Sequence, residues 1–244
     1  MKRLTQVALY LIFALLCRTG YSQNGITVLS VPAGNQFTKI NSGGTTILPS
    51  GRFLTPAGQL VRITNDPFGM AISPDGKKSV TLHNGVITII DLRTLDATRV
   101  PGYDKKIKSP LSNGSFLGVA FADNSKTVYL SGGDNGAVII YDIENFTRLD
   151  SISLNGVVDG VSYADSFTAD LVYNDLKNEL LVLDRGNFRM VRIDLATHKI
   201  TASIKVGRQP FGLTLSPDRH TVFVANVGMY EYPLITGATP QNYD

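Results

Sequence analysis

One phrase, repeated along the chain, constrains its fold more than any other feature. The first copy reads Pro67-Phe68-Gly69-Met70-Ala71-Ile72-Ser73-Pro74-Asp75-Gly76, then Val80-Thr81-Leu82, then Val86-Ile87-Thr88-Ile89-Ile90-Asp91-Leu92. The last opens Pro210-Phe211-Gly212-Leu213-Thr214-Leu215-Ser216-Pro217-Asp218 and continues Val222-Phe223-Val224-Ala225-Asn226. Two degenerate copies lie between them. One begins at Gly118-Val119-Ala120-Phe121, with Val128-Tyr129-Leu130 and Val138-Ile139-Ile140-Tyr141 behind it. The other begins at Ala169-Asp170-Leu171-Val172, followed by Leu180-Leu181-Val182-Leu183 and Met190-Val191-Arg192-Ile193. A period near 45 residues, built only of short strands, marks a radial array, and variable steps between copies are what loop insertions produce. The predicted fold is all-β: a β-propeller of four-stranded antiparallel blades, about four of them present.

Within each copy the strands have distinct chemistry. The strand after Phe-Gly is rich in small residues, which suits a crowded inner rim. Asp75-Gly76 is a turn dipeptide, and Asn84-Gly85, Asn135-Gly136 and Gly186-Asn187 are the turns into the third strand. The second strand, β-branched and aromatic in Val222-Phe223-Val224, fits a surface buried between blades. The third closes on an Asp-apolar pair, at Asp91-Leu92, Asp142-Ile143 and Asp194-Leu195. The outermost reads Ile200-Thr201-Ala202-Ser203-Ile204.

The first 22 residues stand apart. Lys2 and Arg3 precede an apolar run from Val7 to Cys17, and Gly20-Tyr21-Ser22 places small residues at the −3 and −1 positions of a cleavage site. That is the pattern of a secretory signal peptide, and the run is too short to span a bilayer. Cleavage is expected near Ser22/Gln23, giving a secreted or periplasmic product with no membrane span. Leu16, before Cys17, is too large for a lipoprotein signal. The expected organisation is a signal peptide over 1–22, an N-terminal strand segment and lead-in over 23–59, and blades over 60–244, the last incomplete.

The chain carries 23 Lys and Arg against 20 Asp and Glu, and the leader takes away three basic residues and no acid. A mature chain with balanced charge has no surplus to neutralise phosphates, so nucleic acid is not an expected partner. Lys105-Lys106-Ile107-Lys108 reads as a solvated loop insertion. Cys17, the one cysteine, leaves with the leader, and with it goes any disulfide or thiol chemistry.

The segment Val222-Phe223-Val224-Ala225-Asn226 resembles the Tyr-Val-Thr-Asn signature of YVTN-type propellers, also called YncE-like. Val206-Gly207-Arg208-Gln209-Pro210-Phe211-Gly212 and Ser216-Pro217-Asp218 are similar to that family's blade-to-blade joint, and the resemblance covers about residues 60 to 226. A narrower one touches Ile47-Leu48-Pro49-Ser50-Gly51-Arg52-Phe53-Leu54-Thr55-Pro56-Ala57-Gly58. It resembles the lead-in of exported proteins whose later half is an alkaline-phosphatase-type phosphoesterase. The family resemblance implies a ring of about seven blades, which at this period needs on the order of 300 residues. After Asn226 the expected third strand is replaced by Met229-Tyr230-Glu231-Tyr232-Pro233. The expectation is an incomplete arc of a seven-bladed ring, the N-terminal part of a longer protein, with open blade edges through which copies can associate.

Catalytic patterns are sparse. His83, His198 and His220 have no metal-ligand spacing, and there is no Gly-x-Ser-x-Gly elbow and no phosphate loop. No catalytic residue, metal set or cofactor is predicted. Ligand contacts in a propeller come from the channel mouth, which points to Asp66, His83, Asp184, Arg208 and Asn226, with Phe68, Phe116 and Phe211 beside the inner strands. The plainer reading is inter-blade packing for the phenylalanines and a turn cap for Asn226. Two functions follow. One is a non-catalytic binding or scaffold module, for a protein, a glycan or a small molecule, within a larger phosphoesterase-type protein. The alternative is a lactonase-like propeller hydrolase acting on a small ester or lactone, whose site needs polar groups from several blades.

Overall fold

The computed structural model describes residues 29–228, apart from 42, 105 and 113; the expected leader, Cys17 and the tail from Met229 fall outside them. The chain divides into two compact units, Met1–Leu60 and Val61–Asp244. In the first, β1 (Thr46–Ile47) pairs antiparallel with β2 (Phe53–Leu54), and Lys39 bridges Ile47 on the other side.

The second unit is the repeat made visible. Blade 1 is β3 (Gly69–Ile72), β4 (Lys78–His83), β5 (Val86–Asp91) and β6 (Ala97–Val100). Blade 2 is β7 (Val119–Phe121), β8 (Thr127–Ser131), β9 (Ala137–Asp142) and β10 (Thr147–Ser153). A small hairpin, β11 (Gly156–Val158) and β12 (Val161–Tyr163), precedes blade 3, which is β13 (Thr168–Asn174), β14 (Glu179–Asp184), β15 (Arg189–Asp194) and β16 (Lys199–Lys205). β17 (Arg208–Leu215) and β18 (Val222–Gly228) form the next antiparallel pair. Each four-stranded sheet follows chain order, every neighbour antiparallel. This is an incomplete β-propeller: three full blades and the inner half of a fourth among the described residues.

The core lies between blades, and strand periodicity puts it there. Alternate residues of a strand point to opposite faces. In β8, Val128 and Leu130 pack toward Val80, Leu82, Ile87 and Ile89 of blade 1, while Tyr129 packs toward blade 3. In β14, Leu180 and Val182 face blade 2, whereas Leu181 and Leu183 face Leu213, Leu215, Val222 and Val224 of the last pair. A fully buried Val, Leu or Ile contributes about 1.5–3 kcal/mol relative to exposure, so these layers are what hold blade to blade.

Polar residues of the repeat secure its turns. Ser73 Oγ donates to Asp75 Oδ1 at 2.7 Å and accepts from Lys78 N–H at 2.9 Å, closing the turn between β3 and β4. Ser216 repeats the device, accepting from Thr221 N–H at 2.9 Å. Gly76 sits at φ +69° in that turn, a conformation glycine adopts freely, and Arg219 holds the matching place at φ +59°. The Asp of each Asp-apolar pair caps the turn into the fourth strand. Asp142 Oδ1 accepts from the N–H groups of Glu144 and Asn145, and Asp194 Oδ1 from Thr197 N–H. The apolar partners Ile143 and Leu195 are buried in the layers.

Candidate functional site

In every blade the first strand starts, and the second ends, at the same end of the sheet. That end therefore collects the residues ahead of β3, β7, β13 and β17 and the turns after β4, β8 and β14. Asp66, His83, Asp184, Arg208 and Asn226 all belong to it, Asn226 through its register opposite Pro210.

Its centre is aromatic. Phe116 lies 5.2 Å from Phe68, 6.1 Å from Phe167 and 5.4 Å from Phe211, ring centre to ring centre, in tilted and edge-on contacts. One phenylalanine comes from the start of each inner strand. Phe211 lies where the β17–β18 register shifts, between Pro210 and Gly212. Phe68 and Phe211 remain 40% and 38% exposed, so the cluster presents an open apolar surface. The guanidinium of Arg185 lies 5.9 Å above the ring of Phe167, and its Nε donates to Gln209 Oε1 at 2.6 Å. Phe167 escapes sequence reasoning because Thr168-Ala169 follows it where the other copies have glycine; its position just ahead of an inner strand was the available signal.

His83 and Asp184 are both inside the protein. His83 is 1% exposed; its Nδ1 donates to the Asn65 carbonyl at 2.8 Å, and its Nε2 lies 2.8 Å from Thr81 Oγ1 and 3.1 Å from Thr88 Oγ1. Asp184 has no exposed surface. Its Oδ2 accepts from Arg189 Nε and Ser166 Oγ, each at 2.8 Å, and from Asn187 Nδ2 at 3.0 Å; its Oδ1 accepts from Phe167 N–H at 3.1 Å. Arg189 in turn donates to the Leu154 carbonyl and lies 3.5 Å above the Tyr163 ring, which ties hairpin β11–β12 to blade 3.

The other three candidates lie nearer solvent. Asp66 is exposed at φ +54° and accepts from Asn65 Nδ2 at 2.8 Å. Arg208 is exposed, opposite Gly228. Asn226 is half-buried, packs against Gly207, and has an Oδ1 with no partner among the described residues.

A carboxylate not singled out in the sequence stands nearby. Asp170, in the inner strand β13, accepts from Leu213 N–H at 3.0 Å and from Leu171 N–H at 2.9 Å, joining blade 3 to β17. Burial pushes its carboxyl above the ordinary value, and the two N–H groups oppose the shift. The signal was one acid inside the apolar run Ala169-Asp170-Leu171-Val172. Among the described residues, no group of three or more His, Cys, Asp or Glu side chains is placed to hold a metal ion, and no helix is long and apolar enough to cross a membrane.

No family model matches the chain, and no curated protein does. Among 995 matching solved chains, too broad a set for fold to select a function, is one described as Kuenenia stuttgartiensis hydrazine synthase. The similarity has a TM-score of 0.53 at 17% identity and covers 72% of this chain but only 46% of that one. At that identity the likeness concerns the fold alone.

Proposed function

We propose that this chain is part of an exported propeller of the YVTN type that acts as a binding or scaffold module, the N-terminal portion of a larger phosphoesterase-type protein. One observation carries the reading. The groups at the loop end with the most chemical capacity, His83 and Asp184, are buried and bonded within their blades, while the open surface there is the edge of the phenylalanine cluster. Such a surface suits a ligand that presents an apolar or aromatic face, on a protein, a glycan or a small molecule, with Arg185 and Arg208 available to a polar fringe.

The surface is tested with an apolar fluorescent dye, anilinonaphthalene sulfonate, titrated into the full chain and into a Phe68→Ser, Phe211→Ser variant. Saturable binding that the double substitution abolishes, with circular dichroism unchanged, is expected; equal binding by both proteins would reject the cluster as a site. Activity is assayed separately on lactone, phosphomonoester and phosphodiester substrates. Turnover lost in a folded His83→Ala variant would establish the hydrolase alternative instead. N-terminal sequencing of the protein recovered from its host should begin at or beside Gln23.

A further inference from the structure

We propose that a second site, on the outer part of blade 1, binds a compact oxyanion through Arg62 and Arg99. A cavity of about 310 Å³ opens between the irregular segment Arg62-Ile63-Thr64 and β6, lined by those three residues, Thr88, Arg99 and Tyr103, with Ala97 at its edge. No carboxylate lines it. None of the ion pairs among the described residues involves either arginine.

The strand register explains how the pocket forms. Thr88 of β5 stands opposite Arg99 of β6, so their side chains share the face of blade 1 that points away from blade 2. On that face Thr88 Oγ1 and Thr64 Oγ1 are 3.2 Å apart, which holds the segment before β3 against the blade. The Arg99 guanidinium makes two contacts. One Nη donates to the Pro101 carbonyl, and the group lies 4.8 Å above the ring of Tyr103. Its Nε is buried and has no partner among the described residues. A buried guanidinium donor without an acceptor is rare, because desolvation leaves its hydrogen-bonding capacity unmet. Arg62, exposed at the rim, supplies a second cation.

Two guanidinium groups, hydroxyls and an aromatic face are the chemistry that recognises a carboxylate, phosphate or sulfate, since the planar fork of arginine matches such oxyanions bidentately. The volume lies at the small end of ligand pockets, of roughly 300–1,000 Å³, so a single anion or one acidic sugar fits better than a polymer. This site is separate from the phenylalanine cluster and stands or falls independently of it.

The test is isothermal titration calorimetry on the full chain at constant ionic strength, with sodium phosphate, sodium sulfate, sodium glucuronate and neutral glucose as probes. Saturable binding of at least one anion is expected, with glucose silent. Arg62→Ala should weaken that binding at least tenfold, as should Arg99→Lys, which keeps charge but loses the fork. Arg148→Ala, an exposed arginine on β10, should leave it unchanged. Phosphate or sulfate binding without glucuronate identifies a tetrahedral anion as the ligand, and the reverse identifies a sugar carboxylate. Absence of saturable binding by all three anions, or undiminished binding in a folded Arg62→Glu variant, overturns the proposal.

Discussion

Asp184 Oδ2 and Arg189 Nε meet at 2.8 Å where neither side chain is more than 2% exposed. Removing one partner from such a pair leaves the other charge buried and uncompensated, a loss of about 3–5 kcal/mol. Asp184→Ala and Arg189→Met are each expected to fall in that range in urea denaturation. Because the two residues share one network, the double variant should lose less than the sum of the singles.

Stability should fall in acid through the turn-capping aspartates. Asp91 is held below the ordinary carboxylate value mainly by the Arg93 side chain, Asp142 by the N–H of Asn145, and Asp194 by the Thr197 hydroxyl. A depressed folded pKa adds stability above the ordinary value, and that stability is lost as pH falls through the folded one. Unfolding midpoints should therefore drop below about pH 4, and Asp→Asn changes at all three sites should flatten the slope there. Asp170 has the opposite sign. Its folded pKa is raised, so its contribution is present at low pH and lost as pH rises through the folded value. Asp170→Asn should accordingly be tolerated better at pH 7 than at pH 3.

Equivalent glycines should differ in tolerance. A Cβ on Gly69 would collide with the backbone carbonyl of Leu117 in the next blade, whereas one on Gly212 meets only Asp170 Oδ2 at 3.7 Å. Gly69→Ala is expected to cost about 1–3 kcal/mol or more by forcing blades 1 and 2 apart. Gly212→Ala should stay within about 0.5 kcal/mol, and thermal melts of the two variants make the comparison.

Within the aromatic cluster, Phe116 touches three rings and Phe68 touches one of the same set. Phe116→Ala should cost about 2–4 kcal/mol of stability, and Phe68→Ala about 1 kcal/mol, by chemical denaturation. A Phe68→Ala loss as large as that of Phe116→Ala would show the rim to be core.

The blades are legible in the sequence because a strand buried on both faces must be apolar along its length, as Leu180-Leu181-Val182-Leu183 is. The Asp of each Asp-apolar pair is legible too, since a turn that needs its N–H groups capped calls for a short acidic side chain. Hairpin β11–β12 is not. Its strands, Gly156–Val158 and Val161–Tyr163, are too short for alternation to declare itself. At the loop end, composition finds the polar residues but not their state. Asp184 reads as a channel-mouth candidate until Ser166, Phe167 and Arg189 are seen to surround it: Arg189 is its partner across the β14–β15 hairpin, and the other two precede the blade's first strand.

Placing the apolar layers between blades also shapes how such a chain can change over generations. Each blade meets its neighbours through one front and one back, and β8 and β14 show the same division of alternate side chains. A duplicated blade arrives with both kinds of face already made, so arrays of this type can lengthen by whole units while every new joint repeats an old one. Divergence is then confined to the fit of individual joints. The copies here show it: Gly69 sits tight against Leu117 just ahead of β7, and Gly118 against Asp170 and Leu171 of β13, while Ala169 carries a side chain at the corresponding place.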